Sequence, residues 1–270
     1  MNLRWAGLAA LVVAEIGYPL VDGATRARLT VLTVLLGFAV SVAHAAASRG
    51  RRTAVALVAV TAGGGLTVEA LGVATGVPFG TYSYGDALGF TLFGVPLVIP
   101  LAWTWMAWPA WLAAGRLVAP VPLRVPLAGL ALATWDLFLD PQMVAEGYWR
   151  WRDPRPALPG VPGIPLTNYL GWLLVAVILM ALLAAVLALL AAAAGTRRPG
   201  VDAPMYVLYL WTYASGVLAH AVFLDLPASA AWGALGMGSV AVPLAVALWR
   251  GRSRPPRHPA ARSEPHRVAT

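Results

Sequence analysis

The sequence predicts an all-α polytopic membrane helix bundle of about eight transmembrane helices, with both termini in the cytoplasm. Three observations predict it. Of 270 residues, 60% are hydrophobic and 11% charged, where a soluble domain carries roughly 25% charged residues. Apolar runs near the ~20 residues that cross a bilayer recur along the chain. All 19 basic residues are arginine, and fourteen of them fall on one face once the spans are laid out. Because cysteine is absent, disulfides, thiolate metal sites and cysteine nucleophiles are excluded.

The first span starts near Leu3. Glu15 interrupts its apolar core and no small-x-small cleavage site follows, so it reads as a retained helix rather than a removed leader. The second and third start near Leu29 and Thr53, divided by Arg49, Arg51 and Arg52, and Glu69 lies late in the third. The loop VPFGTYSYGDALGFTLFGVP leads into a fourth span near Val95, followed by Arg116 and Arg124. The fifth, from Pro126, holds Asp136 and Asp140, and the loop EGYWRWRDPRPALPGVPGIPLTN joins it to a sixth opened by Asn168 and Tyr169. Arg197 and Arg198 precede the seventh, which starts near Pro204 and ends at Asp225; the eighth starts near Ala228. Residues 1–250 form the membrane domain, and residues 251–270, rich in Arg and Pro, read as a disordered basic cytoplasmic tail placed to touch anionic lipid. Only Arg26, Arg28, Arg150, Arg152 and Arg155 fall on the opposite face, so the basic arginine-rich side is cytoplasmic by the positive-inside rule. The net charge of +8 therefore reflects topology in a cytoplasmic membrane, not nucleic-acid binding.

With about 1.5 Å of rise per residue, Glu15, Glu69, Asp136, Asp140 and Asp225 all fall in the outer half of the bilayer. Carboxylates at membrane depth are costly and mark chemistry, ion pathways or pairing. Asp136 and Asp140 lie one helical turn apart and would repel if both were ionised, so at least one holds a proton near neutral pH. A neutral buried carboxylic acid is a proton donor. The two outer loops, dense in aromatics, Gly and Pro, read as lids over a site. Plainer readings stand beside these. Glu15 reads best as a helix-packing hydrogen bond; Tyr82, Tyr84, Tyr148, Trp149 and Trp151 also suit an interfacial belt; Asp225 suits a turn cap. His44 and His220 belong to no metal-binding spacing. For Glu69 and the aspartate pair, the plain alternative is a buried polar network holding helices together.

VEALGVATGVPFGTYSYG, GVPLVIPLAWTWMAWPAW, TWDLFLDPQMVAEGYWRW and GIPLTNYLGW resemble the membrane-bound carotenoid biosynthesis family of 1,2-hydratases, the CruF type that includes bisanhydrobacterioruberin hydratase. The similarity runs from Leu66 to Trp172 and more weakly to Asp225; the first two spans and the tail match in hydropathy alone. The resemblance implies addition of water across the carbon 1,2 double bond of a carotenoid ψ end group, giving a tertiary 1-hydroxy carotenoid without a cofactor or metal. It also implies a lycopene-like or longer polyene as substrate, the bilayer as medium and other carotenoid-pathway enzymes as neighbours.

That chemistry needs a Brønsted acid for carbon 2, which Asp136 with Asp140, or Glu69, provides. It also needs aromatic faces for the tertiary cation, with Trp135, Trp105 and Tyr84 as candidates. Asn168 or a second carboxylate would hold the water, and Tyr82 and Asp225 complete the expected substrate-binding set. Three rivals differ in sequence terms. A small membrane-type lycopene cyclase would carry a Pro-x-Glu acidic motif; a carotenoid prenyltransferase needs paired Asp-rich motifs for Mg²⁺ and diphosphate; a transporter usually shows matching repeats.

Overall fold

The computed structural model describes residues 3–191 and 201–252, so Arg197, Arg198 and the tail beyond Arg252 lie outside the described residues. The chain is a bundle of long helices. These are α1 (Leu3–Gly17), α2 (Gly23–Arg49), α3 (Arg51–Thr75), α4 (Val98–Leu117), α5 (Val121–Ala145), α6 (Leu166–Ala191), α7 (Ala203–Phe223) and α8 (Pro227–Arg252). Six of them, α2, α3, α5, α6, α7 and α8, are long and apolar enough to cross a membrane. Helix α1 is shorter, and α4 owes its lower hydropathy to four tryptophans and two prolines within 20 residues.

Helices α2 and α5 start before the expected positions Leu29 and Pro126, at Gly23 and Val121. Their first turns carry Arg26, Arg28 and Arg124. Hydropathy delimits an apolar stretch, whereas a helix continues into its polar first turn. At the other end, α8 reaches Arg252, into the segment expected to start the tail.

Helix α4 is the centre of the bundle, buried from Ala102 through Ala114 and packed against α2, α3, α5, α7 and α8. Trp103 and Trp105, two residues apart, point to opposite sides of the helix, whereas Trp105, Trp108 and Trp111 follow at three-residue steps and turn gradually from one neighbour to the next. Trp103 stacks on Trp172 of α6 at 4.0 Å, Trp105 meets Trp135 of α5 edge to face, Trp108 reaches His44 of α2, and Trp111 lies under Arg124 at 3.7 Å.

Helix α5 carries the aspartate pair and is interrupted by a turn at Thr134–Trp135. Pro141 brings no N–H to the Leu137 carbonyl, and the hydroxyl of Ser229 donates to that carbonyl instead at 2.7 Å. His220 meets the carbonyl of Phe138 at 3.0 Å, so α7 and α8 together fix the segment around Asp136 and Asp140.

The two aromatic loops pair with each other. Strand β1 (Tyr82–Tyr84) runs antiparallel to β4 (Trp149–Trp151), while β2 (Thr91–Leu92) and β3 (Val95–Pro96) close a small hairpin between them in the chain. Side chains alternate across a strand. Tyr82, Tyr84, Trp149 and Trp151 therefore face the bundle, and Ser83 and Arg150 face outward, both exposed.

Candidate active site

Asp136 and Asp140 begin and follow one turn of α5, and both are buried. Asn168 in the first turn of α6 meets them together, its Nδ2 donating to Asp136 Oδ2 at 2.9 Å and to Asp140 Oδ2 in a shorter contact. An amide nitrogen has two hydrogens, so one side chain binds both carboxyl groups. Trp149 Nε1–H of the ribbon donates to Asp140 Oδ1 at 3.0 Å. Asp136 Oδ1 is buried and receives no bond from any protein donor.

Glu69 of α3 is served differently. Tyr82 Oη–H and Tyr84 Oη–H donate to its Oε2 at 2.6 and 2.9 Å, and Trp103 Nε1–H donates to its Oε1 at 3.1 Å. Gly72 makes this possible, since a Cβ there would stand 2.8 Å from the Tyr82 hydroxyl oxygen. Burial first, then the charge of Glu69, pushes both phenols above their ordinary range, so they remain donors at neutral pH.

All of these side chains except Asp136, which sits behind Asp140 and Asn168, border one cavity of about 40 Å³. Asp140 and Asn168 form one wall and Glu69 with Tyr82 and Tyr84 another, while Trp103, Trp149, Trp151 and Trp172 supply aromatic surface. A water needs roughly 10–15 Å³ of such space, so the cavity has room for a few waters, and a larger ligand enters only as the ribbon or its side chains give way. The arrangement places paired carboxyl groups, a third carboxylate and several π-faces around a small polar-and-apolar space.

Of the residues singled out from the sequence, Asp136, Asp140, Glu69, Tyr82, Tyr84 and Asn168 come together here. Trp105 and Trp135 do not. They border a neighbouring cavity, because Trp105 lies on the opposite side of α4 from Trp103 and Trp135 precedes the α5 segment that faces Asn168. Asp225 is exposed in the link between α7 and α8, at φ 54°, and lines neither cavity. Glu15 accepts from Trp211 Nε1–H at 2.5 Å and so ties α1 to α7.

Sequence reasoning missed Trp103 and Trp172 and gave Trp149 no partner. Trp103 itself packs on Gly65 of α3, its ring 2.9 Å from where a Cβ would stand, and such contacts across helices leave no local trace in the sequence.

A sequence profile described as carotenoid biosynthesis protein matches residues 29–240. The chain belongs to that family. It is also similar to the bisanhydrobacterioruberin hydratase of Haloarcula japonica, at 36% identity over 110 residues. The shared stretch is 39% of this chain and 37% of that relative, so the chain matches well under half of the relative's length. No solved structure matches it.

Proposed function

We propose that this member of the carotenoid biosynthesis family hydrates the carbon 1,2 double bond of a carotenoid ψ end group. The observation that carries the reading is the buried aspartate pair clasped by one amide, with Asp140 on the cavity wall and aromatic surface opposite. A proton shared by the pair relieves the repulsion of two carboxylates on one amide. Asp140, which borders the cavity, delivers it to carbon 2; the alkene π pair forms the new C–H bond and leaves a tertiary cation at carbon 1. Glu69, held by three donors in the arrangement of an ionised carboxylate, and the surrounding indole and phenol faces stabilise that cation. Water attacks carbon 1 and returns its surplus proton to the pair. One water is added, the acid is regenerated, and no electron changes hands.

The arginine distribution supports the accompanying topology of eight crossings of the cytoplasmic membrane with both termini inside. Reporter fusions at the tail test it, and an external signal would overturn it.

The reading is tested by expressing the chain in a lycopene-producing host. The expected product is heavier by one water, with its hydroxyl oxygen drawn from labelled water and one solvent deuterium at carbon 2 in deuterium oxide. A hydroxyl oxygen drawn from molecular oxygen would make the protein a hydroxylase, and a cyclised pigment of unchanged mass would make it a cyclase.

A further inference from the structure

A second cavity, of about 120 Å³, adjoins the first. Thr30 and Val34 of α2 and Leu139 and Met143 of α5 border both, so the two spaces share a wall, and Leu139 immediately precedes Asp140. The second space is unusual for the middle of a bundle. Glu15, Thr33, Gln142, Thr212 and Ser215 are all among the residues that line it. Trp105 also borders it: its side chain is 6% exposed, its Nε1–H meets no protein acceptor, and its ring is held edge to face by Trp135 at 5.2 Å. At the far end lie Tyr18 and Pro19 of the short helical turn that joins α1 to α2.

The chemistry of this lining selects its occupant. A purely apolar cavity of such size stays dry, whereas a polar one holds water with two to four partners for each molecule. The occupant has to accept from Trp105 Nε1–H and donate to the Glu15 carboxylate, and a hydrocarbon polyene does neither. Water does both. Several molecules fit, since each needs roughly 10–15 Å³.

We infer that the second cavity is a water store that supplies the hydration step, delivering water past Thr30 and Leu139 to the cation formed beside Asp140. The inference rests on the hydratase reading and adds where the second substrate waits. It has a chemical consequence. A tertiary cation denied water loses a proton instead: the C–H pair returns to the π bond, the proton returns to the carboxyl pair, and the alkene is released. In deuterium oxide the cation carries the delivered deuterium at carbon 2, and loss of the original carbon 2 hydrogen, or of a methyl hydrogen on carbon 1, leaves that deuterium in the recovered alkene.

The experiment uses membranes containing the full-length chain, with lycopene as the probe, in deuterium oxide. Ser215→Leu fills the second cavity without touching the first. Trp105→Phe keeps an aromatic face and removes the N–H together with the five-membered part of the indole. The expected result for Ser215→Leu is about a tenfold fall in hydrated product with solvent deuterium in recovered alkene maintained or raised, and a smaller shift the same way for Trp105→Phe. Maintained exchange also shows that the variant is folded. Two outcomes overturn the inference: a Ser215→Leu enzyme that hydrates like wild type, or one in which hydration and exchange fall in parallel while Trp105→Phe leaves the product ratio unchanged. Wild-type membranes that incorporate neither solvent deuterium nor solvent oxygen overturn the hydratase reading itself, and this inference with it.

Discussion

Near the end of α2, His44 is buried and held on both nitrogens, accepting from Trp108 Nε1–H at 2.9 Å and donating from Nε2 to the Val201 carbonyl at 2.9 Å. Beside it Arg49 grips both carboxylate oxygens of Asp202 at 2.8 and 2.7 Å. This network joins α2, α4 and the start of α7 and lines neither cavity. At the ribbon end, Asp136 and Asp140 share one amide, and Asp136 keeps a buried oxygen without a donor. Both regions bury polar groups that the bilayer would penalise if left alone. One pairs its ring nitrogens and carboxylate oxygens with donors and acceptors across helices, with Arg49 Nη1 left over, and uses them to hold α2 to α4 and α7, the arrangement of a fastening. The other crowds acceptors around a space and leaves capacity unused, which is what a proton transfer requires.

The comparison is broken or sharpened by variants that separate chemistry from folding. The largest effect is expected at the aspartate pair: Asp140→Asn and Asp136→Asn should each lower hydration by about 10²- to 10⁴-fold while the protein still accumulates in the membrane. Pigment analysis beside an immunoblot reads both; normal product from both variants would make the pair another fastening and Glu69 the leading acid. Next comes Glu69→Gln, whose amide keeps one acceptor oxygen but turns N–H groups toward at least one of the three existing donors. Turnover should fall about 10²-fold, mostly in kcat, as measured in vesicles of defined polyene content.

A variant at the opposite end should behave in reverse. His44→Phe leaves the Trp108 N–H without its acceptor and should cost about 1–2 kcal/mol of stability. Thermal unfolding in detergent reports that loss, while turnover per folded molecule stays within about twofold of wild type. A collapse of turnover without loss of stability would show that the two ends are coupled. The smallest effect belongs to Glu15→Gln, which keeps an oxygen to accept from Trp211, keeps a hydrogen-bonding partner for water in the second cavity and keeps the side-chain volume. Product yield should remain within about twofold.

Much of this organisation is legible in the sequence. Apolar runs marked the helices, and the turn-spaced Asp136 and Asp140, with Asn168 opening the next helix, marked the cluster, because depth and helical period are local properties. Choosing among tryptophans was not legible in the same way. Trp103 and Trp105 are equally apolar neighbours on α4, yet one faces Glu69 and the other a different cavity. That outcome depends on how α4 is rotated within the bundle, which its uniform burial hides from any periodicity. Likewise, the aromatic loops looked like lids, but the register pairing Tyr82 with Trp151 and Tyr84 with Trp149 is fixed by contacts across some 70 residues of chain.

The alternation of that ribbon divides its tasks cleanly. Ser83 and Arg150 stand opposite each other on the outward side, while their neighbours carry the phenols and indoles of the site. Mutational drift on the outward side is therefore insulated from the reacting groups, and the lid can change its dealings with the surroundings without retuning the chemistry. Because the chain contains no cysteine, Ser83→Cys with Arg150→Cys would introduce its only two thiols, directly across the ribbon. Such a pair is a latch worked from outside: oxidant fastens the strands together and reductant frees them, so admission of the proposed substrate becomes something an experimenter can switch.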